Sequence, residues 1–373
     1  MRIALLGTRG VPARYGGFET AAEEIGARLA EAGHDVVVYC RNPGQRITRY
    51  RGMRLVNLPA IRTRTLETLS HTALSTVHCI VRSRPQVVVL FNPANAPLAA
   101  VLRLARIPTA IHMDGLDADR AKWRGSGRRY FRLAEWLSVR VANEVIADSQ
   151  AIADRLNEVH GRAAAFLPYG APLVDPGADQ LSGHGLQTGG FHLVVARLEP
   201  ENHVRLIVEG YRTAGAKLPL VVVGSAPYSA PYTVEIRRAA GDADVRLLGA
   251  VWDQGLLDQL YANAASYLHG HSVGGTNPSL LRAMGAAAPI TAFDVVFNRE
   301  TAGPTARYFL ARDDVATCIA ADEADPSAAR ARGAAGRRRA SERYVWDDVA
   351  RGYEALCRRL AGGRPDQTQD HGG

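Results

Sequence analysis

Residues 3–33, IALLGTRGVPARYGGFETAAEEIGARLAEAG, decide the fold. The apolar run Ile3–Leu6 halts at a glycine, as a short strand buried on both faces does. A glycine-bearing loop, Gly7 to Gly17, follows it. Phe18, Ala22, Ile25 and Leu29 then recur at spacings of three and four, the period of a helix with one apolar stripe, and Gly33 supplies its stop. Strand, loop and helix in that order begin a βαβ unit.

The alternation continues outward. Val36–Tyr39, Val87–Phe91, Thr109–His112 and Glu144–Ala147 read as buried strands with amphipathic stretches between them. A second series starts afresh at Leu193–Val195 and runs through Leu220–Val223, Arg246–Leu248, Tyr267–His269 and Pro289–Ala292. The expected class is α/β, with two Rossmann-like doubly wound domains, and a chain of 373 residues suits two cores better than one. Between the series, the stretch from Gly170 to Gly190 is rich in Pro, Gly, Asp and Ser and lacks periodicity. The expected division is a first domain over 1–172, a linker over 173–190 and a second domain over 191–344, with a helix near Ala328–Arg343. A last helix falls within 345–361, and 362–373 reads as a flexible tail. Open parallel sheets bind ligands beyond the carboxyl ends of their strands, so the two domains are expected to face each other across a deep cleft.

With 47% apolar and 22% charged residues the chain can bury packed cores and has no mark of disorder. Cys40, Cys79, Cys318 and Cys357 are scattered without a CxxC, which indicates neither a disulfide framework nor a zinc site and makes a reducing cytoplasm the default. The first apolar run is too short for a signal peptide, and no window approaches a membrane span, so the expected location is cytoplasmic. Charge is uneven. Residues 1–170 hold 24 Lys and Arg against 14 Asp and Glu, and Arg41 to Arg64 contains seven arginines and no acid. Such a surface attracts an anionic acceptor, nucleic acid or an anionic bilayer, and otherwise is a solvated arginine face. Nucleic acid is disfavoured because no binding motif or aromatic-basic interleaving accompanies the charge.

Four stretches carry candidate chemistry. In Gly7 to Gly17, glycines admit a ligand close to the backbone and the following helix presents free N–H groups to an anion. The spacing fits neither GxGxxG nor a Walker A loop, and the plain alternative is a turn joining strand to helix. Arg41, after the second strand, keeps an NADP-dependent reductase open as an alternative. In ARLEPEN (196–202), Arg197 emerges at a strand end, where its planar fork suits a diphosphate, or else it pairs with Glu199 or Glu201. In HGHSVGGTNPSLLRAMG (269–285), Asn277 is an N-cap, Pro278 fits the first helical position and Gly285 a C-terminal stop, which makes a second anion site beside Gly274 and Gly275. His269 and His271 lack a third metal ligand and are expected to hydrogen-bond. In IHMDGLDADRAKW (111–123), His112 and Asp114 follow a strand of the basic domain, and Asp117-Ala118-Asp119 matches a DxD metal motif only formally.

GTRGVPARYGGFET, DGLDADRAKW, ARLEPEN, HGHSVGGTNPSLL and FNRE (297–300), in this order over most of the chain, resemble the retaining GT-B glycosyltransferases of family 4. The likeness is nearest to the bacterial branch containing polysaccharide rhamnosyltransferases. This resemblance implies an acceptor-binding first domain, a nucleotide-sugar-binding second domain and a last helix crossing back to the first. It implies that Gly16 and Gly17 approach the donor diphosphate and transferred sugar, that Arg197 binds the diphosphate, and that His112 or Asp114 contacts the transferred sugar or acceptor. Asn202 stands where many relatives have a phosphate-binding lysine. His271, Gly274, Gly275, Thr276, Asn277 and Ser279 are placed around phosphate and sugar. Arg282 replaces the glutamate of PSLLEAM, which the family is read as using to grip the ribose hydroxyls, and this exchange of an acceptor for a cation points to altered donor use. Loss of activity and a partner-supplied acid remain open. The implied activity needs no metal or other cofactor. The expected partners are a nucleotide-sugar donor and a glycan, lipid-linked or small-molecule acceptor, with peripheral contact at an anionic membrane and no nucleic acid. The alternatives are a specialised-metabolite glycosyltransferase with an unusual donor and a non-catalytic sugar-nucleotide-binding protein.

Overall fold

The structure, a computed structural model, describes every residue except 14, 15, 42, 43, 45, 46, 62, 64, 65, 114–124, 226–229 and 363–373. The described residues divide into two compact units, one drawn from 1–113, 125–168 and 346–362 and one from 169–345.

The first unit is built on strands β1 (Arg2–Leu6), β2 (Asp35–Cys40), β3 (Arg49–Tyr50), β4 (Met53–Asn57), β5 (Val87–Phe91), β6 (Thr109–Met113), β7 (Glu144–Ala147) and β8 (Ala165–Phe166). They lie in the order β3-β4-β2-β1-β5-β6-β7-β8, and all neighbours are parallel except β3 and β4. Ile3–Leu6 of β1, Val36–Cys40 of β2 and the whole of β5 are apolar and buried, as helices on both faces require. Those helices are α1 (Gly17–Glu31), α2 (Glu67–His78), α3 (Ala96–Leu104), α4 (Ser126–Val141) and α5 (Gln150–His160). Gly33, at φ +86°, ends the first of them as its spacing predicted. Strand β4 escaped the sequence reading because it is buried on one face only, with Met53 and Leu55 inward and Arg54 outward.

The second unit carries β9 (His192–Val195), β10 (Leu220–Val223), β11 (Val245–Gly249), β12 (Ser266–His269), β13 (Ile290–Phe293) and β14 (Ala306–Phe309). Their order is β11-β10-β9-β12-β13-β14, parallel throughout, so the direction of winding reverses between β9 and β12. Its helices are α6 (Val204–Ala214), α7 (Ala230–Ala240), α8 (Gln254–Asn263), α9 (Pro278–Gly285), α10 (Val296–Ala302), α11 (Arg312–Ala324) and α12 (Pro326–Arg343). Strand β14 was missed because only Phe309 of its residues is fully buried. The stretch expected as a linker, 173–190, counts with this unit and is stitched to α8. Gln180 N donates to Gln259 Oε1 (2.9 Å), Gln259 Nε2 to Asp179 Oδ1 (2.6 Å) and Asn263 Nδ2 to the Gly177 carbonyl (3.1 Å).

The last helix, α13 (Trp346–Leu360), belongs to the first unit and packs on α1. Arg28 Nε bonds Asp347 Oδ1 at 2.7 Å, His34 Nε2 lies 2.9 Å from Glu354 Oε1, and the buried face brings in Val349, Tyr353 and Leu356. The tail beyond Gly362 is outside the described residues.

Candidate donor site of the second unit

The turns that follow β9 and β12 lie at the switch point of the second sheet, the place where a doubly wound domain opens a crevice. They are tied to each other. Asn202 Nδ2 donates to the Arg197 carbonyl (2.7 Å), which closes the first turn, and the Glu201 carbonyl accepts both Ser272 N (3.1 Å) and Ser272 Oγ (3.0 Å) from the second. His203 Nδ1 lies 2.8 Å from the Gly270 carbonyl, and a Cβ on Gly270 would collide with the Asn202 carbonyl oxygen. Asn202 is therefore buried with its amide turned into its own turn and not outward.

The second turn ends on the cap of α9. Asn277 Oδ1 accepts Ser279 N (2.9 Å) and Ser279 Oγ (2.7 Å), and Pro278 holds the first helical position, as the sequence predicted. Tyr267 OH donates to Ser279 Oγ (3.3 Å) and lies 3.0 Å from His269 Nδ1, so a chain of polar contacts runs from the end of β12 to the cap. Burial pushes His269 down to about 3 and Tyr267 up to about 12, and both stay neutral at ordinary pH. The His271 ring stacks on His269 (4.5 Å, 15°), an arrangement that does not aim two nitrogens at one ion, and its carbonyl accepts Asn298 Nδ2 (2.9 Å). Gly274 sits at φ +138° with open space where a Cβ would point, while Gly275 and Thr276 are buried. α9 stops at Gly285, as expected, but the left-handed residue beyond it is Ala287, and Gly285 itself is where a Cβ would run into the Pro172 carbonyl oxygen.

Arg197 keeps 36% of its side chain exposed, and it pairs with Glu199 Oε2 only at 3.7 Å, too long for a hydrogen bond. Its guanidinium is thus placed beside the turn without being consumed by it. Arg282 differs. It turns from α9 to α8, where Nε meets Asp258 Oδ1 (2.7 Å) and Nη1 meets Gln254 Oε1 (2.7 Å), so its charge is neutralised within the unit.

In the first unit, Gly16 caps α1 at φ +102° and Gly17 opens it. The loop already holds carboxylates from that helix: Arg9 N donates to Glu19 Oε1 (2.8 Å) and Ala13 N to Glu23 Oε2 (2.6 Å). Burial raises the Glu19 carboxyl, against the Arg9 N–H and the Arg41 and Arg9 charges, which lower it. Arg41 Nη2 donates to the Gly7 carbonyl (3.2 Å), so this arginine is folded over the loop. His112 is fully buried in an aromatic cluster, 5.3 Å from Phe18, 5.5 Å from Phe91 and 6.4 Å from Tyr353, and offers a ligand no exposed surface here. Asp114 and the DGLDADRAKW motif lie outside the described residues.

The structure thus gathers Arg197, Asn202, His271 and Gly274–Ser279 at one edge of the second sheet, and turns Arg282 toward α8. Sequence reading missed Tyr267, His203 and the brace role of Asn298. Only the FNRE match pointed at Asn298, and no periodic signal marks the others. Among the described residues no three His, Cys, Asp or Glu side chains cluster as a metal site.

Residues 16–170 match the family described as Glycosyl transferase 4-like domain. No curated protein sequence matches the chain. Among solved structures, sucrose-phosphate synthase (tll1590) from Thermosynechococcus elongatus is similar at 21% identity and TM-score 0.83, over 97% of this chain and 100% of that one. Anabaena Alr3699/HepE, solved with UDP, is similar at 16% identity and TM-score 0.75, over 95% and 99%. A glycosyltransferase from Rickettsia africae ESF-5 is similar at 11% identity and TM-score 0.75, over 97% and 99%. The chain has the fold of the GT-B glycosyltransferases, two Rossmann-like α/β domains with parallel sheets, and its residues 16–170 match a glycosyl transferase 4-like domain.

Proposed function

We propose that the protein is a glycosyltransferase that uses a nucleotide-diphosphate-sugar, and that the paired turns after β9 and β12 receive the diphosphate. The observation that carries this reading is the tie, through Asn202, Glu201 and Ser272, between the turn that carries Arg197 and the turn that leads into the capped amino end of α9. A cation and a helix amino terminus together stabilise charge that develops on a departing diphosphate. The match of residues 16–170 and the UDP bound by the similar Anabaena protein support the same reading.

The transfer retains anomeric configuration and needs no metal. The acceptor attacks on the face the diphosphate leaves, through an oxocarbenium-like state, and the departing phosphate oxygen takes the acceptor proton. The transferred sugar is a deoxyhexose such as rhamnose, and the acceptor is a glycan, lipid-linked or free. Neutralisation of Arg282 by Asp258 supports altered nucleoside binding as the reason the PSLLEAM glutamate is missing.

A thermal-shift screen against UDP-, TDP- and GDP-sugars tests the proposal. A ligand at 100 times its dissociation constant stabilises by about 2.7 kcal/mol. Stabilisation by one of these families, followed by transfer or donor hydrolysis, supports it. Stabilisation by NADPH and by none of the sugar nucleotides overturns it.

A further inference from the structure

We propose that the outer face of α2, α3 and α4 in the first unit docks on an anionic lipid surface. The chain steps from β4 across to β5 and on to β6 and β7, and right-handed crossovers put the three connecting helices on one face of the sheet. They pack side by side, α2 on α3 and α3 on α4. Tyr130 OH donates to the Ala94 carbonyl (2.6 Å) at the start of α3, and Arg103 Nη1 donates to the Arg140 and Val141 carbonyls (3.2 and 3.3 Å) at the end of α4, so α3 and α4 run parallel.

The outward side of this layer is unusually apolar. Leu74 and Val77 of α2, Val81 in the helical turn Cys79–Ser83 that continues it, Val101 and Leu104 of α3, and Leu133 and Trp136 of α4 lie along it, exposed by between 42% (Trp136) and 85% (Leu104). Neighbouring apolar residues exposed over three adjoining helices mark an interaction surface, whereas isolated ones do not. The charge among them is predominantly of one sign. Residues 67–113 and 125–141 contain eight arginines, all exposed, and two acids, Glu67 and Glu135. Glu67 lies 3.8 Å from Arg9, Glu135 is held by Arg155 (2.7 Å) and His160 (2.8 Å), and Arg82, Arg84, Arg106, Arg129 and Arg132 have no carboxylate partner among the described residues.

This combination selects the occupant. A second copy of the chain would set arginine against arginine, which repels. An anionic bilayer takes both components: the aliphatic side chains and the Trp136 indole enter the headgroup boundary, and the guanidinium groups meet lipid phosphates. Arg140 stacks over Trp136 (4.5 Å), joining the two kinds of contact in one place. The Arg41–Arg64 run fits this role less well, because Arg51 is paired with Glu23 and Glu24 and Arg54 with Asp35.

Co-sedimentation of the full chain with vesicles of phosphatidylcholine alone, or of phosphatidylcholine mixed with phosphatidylglycerol, tests the proposal. Binding to the mixed vesicles that high salt weakens is expected, with little on the neutral ones. Val81→Glu/Leu104→Glu and, separately, Arg129→Glu/Arg132→Glu should each weaken it by about tenfold or more. Because all four side chains are exposed, the variants should keep the parent unfolding temperature and nucleotide-sugar binding. Absence of vesicle binding, equal binding to neutral vesicles, or binding unchanged in these variants overturns the proposal. So does light scattering that finds a dimer which Val81→Glu/Leu104→Glu dissolves.

Discussion

Arg282 on α9 grips Asp258 on α8 through a single carboxylate oxygen: Nε lies 2.7 Å and Nη2 2.6 Å from Oδ1. Only 20% and 19% of the two side chains are exposed, so the bond joins two helices beside the turn that carries the α9 cap. A glutamate at 282 would face Asp258 instead. Arg282→Glu is expected to lower stability by about 2 kcal/mol, and Asp258→Asn added to it should recover about half, because the second change removes the repulsion the first creates. A double-mutant cycle in urea measures both. Additive effects would mean that the two residues do not interact.

Arg197 makes only a long ion pair, 3.7 Å to Glu199, so removing it should leave the fold intact and act on turnover. Arg197→Ala is expected to reduce turnover of a nucleotide-sugar by about 100-fold, the cost of losing one preorganised group at a charged transition state. The unfolding temperature should stay where it was. Steady-state kinetics with the donor found in the thermal screen decides the matter, and unchanged turnover would remove Arg197 from the chemistry.

Two fully buried histidines make stability depend on acid. Burial pushes His269 down to about 3, and burial together with the nearby Arg41 charge pushes His71 down to about 4, from an ordinary 6.5. The unfolded chain therefore takes up protons near pH 6.5 that the folded one refuses. Their contribution is complete above that pH and is lost as pH falls from about 6.5 toward 4 and 3. Unfolding free energy measured across this range should fall with acid. The His71→Leu variant should show a slope shallower by up to one proton. A slope identical to the parent's would contradict the assignment.

Gly285 ends α9 against the Pro172 backbone, where a Cβ has no room. Gly285→Ala gains helix propensity of about 1 kcal/mol but should still destabilise by about 1–3 kcal/mol, because a carbonyl cannot move as a flexible side chain does. Gly183→Ala, where a Cβ meets nothing within 4 Å, serves as the control and should change little. Thermal unfolding of the two variants separates close approach from a general intolerance of alanine.

Apolar period and punctuation in the sequence by themselves determined the two α/β series, ten of the strands to within a residue or two at each end, and the Asn277-Pro278 start of α9. Those features are local: a strand buried on both faces and a capped helix each announce themselves within a few residues. Tertiary structure alone decided the rest. Strands β4 and β14 lie where burial is partial, so their apolar pattern is weak. The bond by which the Asn202 amide closes its own turn, and the approach of the Pro172 carbonyl to Gly285 at the end of α9, join residues whose neighbours the sequence does not name. The Arg282–Asp258 bond and the apolar, arginine-rich face of α2, α3 and α4 bring together side chains from separate helices. No spacing along the chain encodes such meetings, because they depend on how sheets order their strands and helices pack above them.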